Sequence, residues 1–412
     1  MRRVLAFLLV ISCAVPTGAC LWDYDTLQME RERFPGALEL IVGKFLRHSD
    51  TFYEWRVRDR TAKIARHESG EATLADNDLA AAYDDLAVAY DKLSRQDDAI
   101  KTIREKAEKL PKVGEYETRA NLGTFFVHAG QYEEGLAELK KAIEINPDAH
   151  FGREKYQVLL VEYVTQQQGK TETIALPLNS QLRSGYDGKD EIYGFANYIL
   201  DQAGIEEWQT DEKVSTEGAA ELKRATTGVL GMMRIGDYRS PILLEALGDL
   251  LLSGTNDSDS KQLAARAYLR ASQVNDSPTS KAAYYEMADH AVFGQEKKDG
   301  WSRNQTVEHL EDQLAREVKE ADAWFAEVAY DEELWVEKSA DPDRRYWEKY
   351  GDQVITVGHD RLPAGKFAEK GLPVVLRVAL GVAFVLTLVI VIGAMAWRRK
   401  RPTGYPVGER QA

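Results

Sequence analysis

The sequence predicts an all-α protein, a helical repeat array (an α-solenoid) joined to one C-terminal transmembrane helix. Three observations predict it. Apolar residues recur at three- and four-residue spacing through much of residues 76–340, the pattern of helices that each bury one face. A self-similarity of 36 residues runs through residues 79–147, and such a period belongs to stacked repeats. Val378 to Trp397 is a run of twenty residues without a charge, enough at about 1.5 Å per residue to cross the roughly 30 Å apolar core of a bilayer.

Charge placement bounds the function before any motif does. The 412 residues carry a formal charge of −14; the two ends hold +7, which leaves −21 on residues 21–372. A body so acidic lacks the basic face that nucleic-acid binding requires. Cys13 and Cys20 are the only cysteines, too few for a disulfide framework or a thiolate metal centre. The seven histidines form no paired-ligand spacing, and no nucleophile elbow, phosphate loop or dinucleotide fingerprint occurs. No catalytic residue, metal or cofactor is therefore expected.

In chain order, residues 1–20 read as a secretory signal, because Arg2 and Arg3 precede an apolar run closed by Thr17-Gly18-Ala19. Gly18-Ala19-Cys20 resembles the end of a bacterial lipobox, which makes Cys20 a lipidation candidate; ordinary signal-peptidase cleavage nearby is the alternative. Residues 21–75, with Leu21-Trp22-Asp23-Tyr24 and Phe52-Tyr53-Glu54-Trp55-Arg56, are expected to form an N-terminal helical cap.

Residues 76–170 carry the repeats. Leu86-Ala87-x-x-Tyr90 is followed by Ala99, Ile103 and Pro111, and Leu122-Gly123-x-x-Phe126 by Gly130-x-Tyr132, Leu139, Ala142 and Pro147. The small residues allow two antiparallel helices to approach, the aromatic ones fill the gap between them, and each proline stops a second helix. This pattern resembles the tetratricopeptide repeat. The first copy departs from it at Ser94, where the turn glycine is missing, and at Lys106, where a small residue is expected. A third helix is predicted over residues 151–165.

Pro177, Asn179, Gly185 and Gly188 mark 171–210 as an irregular insertion. A second array follows over 211–340, with helices expected at 217–235 and at 304–328, the latter capped by Asn304 and stopped by Asp341-Pro342. Within it Leu247-Gly248-x-x-Leu251, Tyr268 and Pro278 repeat the resemblance more loosely. Residues 341–372 read as a juxtamembrane stalk, and Trp335 and Trp347, before and within its start, either cap the array or reach the headgroup layer. The transmembrane helix is placed at 374–397, and the tail 398–412 opens Arg398-Arg399-Lys400-Arg401. The positive-inside rule keeps that tail cytoplasmic and the body periplasmic, in a single pass of the inner membrane.

The resemblance implies a concave groove lined by the first helix of each pair, holding Asp84, Val88 and Asp91 from one copy and Glu117, Asn121, Thr124 and His128 from the next. Asp84 and Glu117 would repel a carboxylate, so a neutral or basic peptide or helix of another envelope or membrane protein is the expected partner. A solvated groove edge is the bland alternative. The expected function is a membrane-anchored extracytoplasmic scaffold for protein–protein interaction. A receptor subunit that signals through a partner, or an enzyme of unrecognised type in 171–210 built on Glu191, Glu206 and Glu207, are the competing readings.

Overall fold

The computed structural model describes residues 31, 34–147, 152–169, 174–178, 194–205, 215–253, 260–293 and 306–358, and those through Val357 belong to one compact unit. The signal, Cys20, the uncharged run at 378–397 and the basic tail lie outside the described residues. Among the described residues there are fourteen helices and no strand, so the all-α class holds. None of those helices is long and apolar enough to cross a membrane.

The helices are α1 (Ala37–Val42), α2 (Asp50–Glu68), α3 (Asp76–Lys92), α4 (Gln96–Lys109), α5 (Glu115–His128), α6 (Tyr132–Ile145) and α7 (Arg153–Gln168). They continue with α8 (Gly194–Gln202), α9 (Thr216–Ile235), α10 (Pro241–Leu252), α11 (Lys261–Val274), α12 (Pro278–Phe293), α13 (Val307–Glu337) and α14 (Pro342–Tyr350). Neighbours in sequence pack as hairpins: α3 on α4, α5 on α6, α10 on α11, and α11 on α12. The first helices also lie side by side, α3 on α5 and α7 on α9.

The two repeat copies turn alike. Arg95 N donates to Tyr90 O and Gln131 N to Phe126 O, both at 2.8 Å, around residues in left-handed conformation. That residue is Gly130 (φ 75°) in one turn and Ser94 (φ 58°) in the other. The missing glycine therefore did not change the turn; serine bears the strain. Ser94→Gly is expected to stabilise the protein by about 0.5–1 kcal/mol, read as a raised urea midpoint with an unchanged slope.

Close approach explains the internal glycines. A methyl group at Gly123 would lie 2.7 Å from Leu139 Cγ and 3.0 Å from its backbone nitrogen. One at Gly248 would lie 2.3 Å from the Tyr268 ring, which places the loosely matched second array in the same kind of helix contact. Gly248→Ala is expected to cost about 1–3 kcal/mol by overpacking, measurable in the same denaturation series.

Several boundaries differ from expectation, for local reasons. Helix α13 starts at Val307 under a Thr306 cap, whose hydroxyl accepts from His309 N at 3.3 Å, rather than under Asn304. It runs nine residues beyond Val328 because Val328 packs on Tyr346 and Tyr350 with Trp324, Phe325 and Trp335 around them. Asp341-Pro342 begins a helix instead of stopping one: Asp341 accepts from Arg344 N at 3.2 Å, and proline at the first helical position loses no hydrogen bond. Residues 341–357, expected as the start of a stalk, are thus part of the body, and Val357 is buried in the main core. Trp335 packs beside Tyr346 and Tyr350, and Trp347 faces solvent.

The N-terminal helices close on this C-terminal segment. α1 lies in the main core against α9, α11 and α13, while α2 packs on both α3 and α13. Glu332, fully buried, accepts from Ser49 N at 2.8 Å and lies 2.6 Å from His48 Nδ1, whose ring stacks on Phe52. Asp343 accepts from Arg56, and from Arg60 at 2.5 Å. Burial would raise the Asp343 carboxyl, but Arg56 and Arg60 together outweigh it and hold it below the ordinary aspartate range. A carboxyl depressed in the folded state contributes stability above its unfolded value, near 3.9, that is lost as pH falls through the folded one. Docking of α14 is therefore expected to hold at pH 5 and to loosen below about pH 4, seen as faster hydrogen exchange in α14 than in α5.

Candidate partner-binding groove

Seven residues predicted for the groove sit on α3 and α5, whose faces meet. The structure joins five of them by hydrogen bonds in a ladder along adjacent helices. Asn121 Nδ2 donates to Asp84 Oδ1 at 3.2 Å, and His128 Nδ1 lies 2.8 Å from Asp91 Oδ1, each pair 37 residues apart. On the next rung Gln157 Nε2, from α7, donates to Thr124 Oγ1 at 3.1 Å, while the Thr124 hydroxyl donates back to Ala120 O. Glu117 lies at the end of this ladder, exposed, and makes no ion pair among the described residues. Val88 is half-buried against Ile100, Ile103 and Phe126 and serves the core between α3, α4 and α5.

The charge of the groove differs from the expectation built on Asp84. Lys106, the residue that broke the repeat pattern, is fully buried on α4 and donates to Asp84 Oδ2 at 2.7 Å. A buried ammonium needs a paired acceptor, and Asp84 supplies it. Burial nonetheless dominates at Asp84 and raises its carboxyl above the ordinary range, with Lys106 and Asn121 acting in the opposite direction. Repulsion of an incoming carboxylate then rests on Glu117, since Asp84 is spent on Lys106 and Asp91 faces His128. The Lys106 amino group comes within 3.4 Å of Gly114 O, at the left-handed glycine that opens α5.

Another lysine joins the end of α3 to the end of α9. Lys92, at the end of α3, donates to Ile235 O and, at 2.7 Å, to Gly236 O, so its charge satisfies carbonyls at the C-terminus of α9. Burial holds this amine below the ordinary lysine value. His128 borders the same place: a methyl group on Gly236 would stand 3.9 Å from its Nε2. The α9 terminus therefore lies against the C-terminal ends of α3 and α5. Sequence spacing held no signal for that contact, because Lys92 and Gly236 are 144 residues apart.

The carboxylates proposed for an enzyme in 171–210, Glu191, Glu206 and Glu207, lie outside the described residues. In the described part of that region Leu178, Phe195, Ala196, Ile199 and Leu200 are buried in the main core. The carboxylates that reach it come from α10: Glu245 accepts from Leu178 N at 2.9 Å, and Asp249 from Phe195 N at 2.8 Å. Among the described residues no group of three or more histidine, cysteine, aspartate or glutamate side chains is placed to hold a metal ion.

Compared with family models, curated proteins and solved structures, the chain matches none.

Proposed function

We propose that the chain is a tetratricopeptide-like scaffold, anchored to the inner membrane by the run at 378–397 with its body in the periplasm, that binds a segment of another envelope protein. The observation that supports this most directly is the ladder. Residues of the two neighbouring copies, 37 positions apart, meet side by side, Asp84 with Asn121 and Asp91 with His128, as expected of first helices that line one common face. An extended or helical segment suits such a face, and the uncommitted charge of Glu117 favours a basic or neutral one.

The proposal is tested by a photo-crosslinking side chain placed at Glu117 in cells. A discrete partner is expected from Glu117 and not from Lys140, an exposed residue of α6. Equal labelling from both positions, or from Lys140 alone, would remove the groove from consideration. With the partner in hand, Glu117→Lys is expected to weaken binding by about tenfold, the worth of a rim or part-buried charge contact. Intact mass of the mature chain reads Cys20 separately: a diacylglyceryl adduct supports lipidation and a free thiol rejects it.

A further inference from the structure

Two arginines stand against one tyrosine, and a third, Arg270, shares their electrostatic surroundings. Arg47 lies between α1 and α2, Arg239 in the turn before α10, and Arg270 near the end of α11. The guanidinium carbon of Arg47 stands 5.0 Å from the centre of the Tyr238 ring and that of Arg239 5.8 Å. Arg47 also lies 3.2 Å over the Phe325 ring, so its plane is fixed by aromatic faces on two sides. Tyr238 reaches this position because Gly43 has no side chain: a methyl group there would lie 2.5 Å from the ring. Arg270 shares its charged surroundings with Arg47, namely Tyr238, Asp322 and Arg239.

These cations are poorly covered. Burial, foremost, holds both Arg47 and Arg270 below the ordinary arginine value, and Arg239 adds to the effect. Among the described residues neither has a carboxylate at ion-pair distance, and Arg239 has only Asp237, at 3.9 Å. Arg270 spends Nη1 on Gln273 at 3.1 Å, and its Nε is buried with no acceptor. Arg47 Nε donates to Gly43 O at 3.2 Å, and its terminal nitrogens are left over. Other arginines of this body are treated differently: Arg60 touches Asp59, Asp85 and Asp343, and Arg266 is saturated by Glu317 and two glutamines. Three guanidinium groups here face two carboxylates, Asp322 and Asp237, in a body that is otherwise strongly acidic.

We propose that Arg47, Arg239 and Arg270, with the Tyr238 hydroxyl, form a binding site for an oxyanion, a phosphate or carboxylate group. Guanidinium forks match both by paired N–H donors, and the partial burial of Arg47 and Arg270 strengthens their hydrogen bonds to a charged acceptor. The anion would return the desolvation energy that Arg47 and Arg270, half-buried and without a carboxylate at ion-pair distance, cost when the site is empty. The aromatic faces keep Arg47 from collapsing onto Asp322. The site stands on its own residues and does not depend on a partner in the groove.

The test uses the full purified chain, titrated with sodium phosphate or sodium acetate at constant ionic strength set by sodium chloride. A saturable rise in melting temperature with either oxyanion, absent with chloride, is expected. Arg239→Gln should weaken that binding by about tenfold or more, since a charged hydrogen-bond partner is lost. Its side chain is 63% exposed, so folding is not at stake. Arg104→Gln, which removes an arginine over Phe126 elsewhere on the body, should leave the titration unchanged. Arg270→Gln tests the buried member, and Arg239→Gln decides the matter if that variant does not fold. A short peptide with a free C-terminal carboxylate, compared with its amide, separates a partner's chain end from a free phosphate; either preference supports the site. Phosphate and acetate acting no more than chloride, or Arg239→Gln binding as tightly as the wild type, would overturn it.

Discussion

Arg266→Ala is expected to lower stability by about 3–5 kcal/mol, the cost of leaving a buried carboxylate without its cation. Arg266, on α11, is fully buried. It donates to Glu317 of α13 through Nε at 2.9 Å and Nη2 at 3.1 Å, to Gln313 at 2.9 Å, and to Gln262 O and Oε1 at 3.3 Å. Alanine removes every one of these donors while Glu317 stays 7% exposed in the interior. Arg266→Lys keeps the charge but not the fork and should fall between. The informative variant is the double change to Arg266→Leu and Glu317→Leu. It abolishes the ion pair without orphaning a charge and should recover most of the loss. Urea denaturation reads the global cost, and hydrogen exchange in α11 and α13 reads the local one. A double variant as unstable as Arg266→Ala would show that lost packing, not the uncompensated carboxylate, sets the cost.

The parts of this fold that were legible in the sequence are those fixed by residues a few positions apart. Gly123 and Gly248 announced close helix contacts because nothing larger fits there, and Ser94 kept its turn because the hydrogen bond from Arg95 N to Tyr90 O is local. The placement of Asp84, Asp91, Asn121 and His128 on α3 and α5 was legible from the helical spacing. Their pairing was not, and it alters what the groove can attract. Lys106 carried a signal, an ion where a small residue belonged, but its partner Asp84 lies 22 residues back on another helix. The contacts that make the body one unit were silent for a stronger form of the same reason. Asp343 meets Arg56 across 287 residues, and Glu332 meets Ser49 across 283; no periodicity links positions so far apart. The Tyr238 cluster was equally hidden, because Arg47, Arg239 and Arg270 are unremarkable one at a time and acquire meaning only when α1, α11 and α13 converge.

Asp249→Ala is expected to cost about 2–4 kcal/mol, while Asp249→Asn costs far less and alters the pH dependence of stability. Asp249 is buried on α10, one turn after the equally buried Glu245. It accepts from Phe195 N and from the Tyr268 hydroxyl, both at 2.8 Å, and thereby ties the start of α8 and the middle of α11 to one helix. Alanine leaves both donors buried without an acceptor, at about 1–3 kcal/mol each in part-relaxed surroundings. Burial, with Glu245 adding to it, pushes the Asp249 carboxyl well above the ordinary aspartate range. A carboxyl raised in the folded state makes that state bind more protons than the unfolded chain. Stability from this group is then fullest below the unfolded value, near 3.9, and declines as pH rises toward the folded one. Asparagine cannot titrate, keeps an acceptor oxygen, and removes that decline. Subtracting the stability of Asp249→Asn from that of the wild type at intervals from pH 4 to pH 8 isolates the group. The difference should fall with rising pH and then level off. A difference that is flat, or that grows toward neutral pH, would mean that Asp249 is ionised in the folded protein and that its two donors outweigh both burial and the neighbouring Glu245.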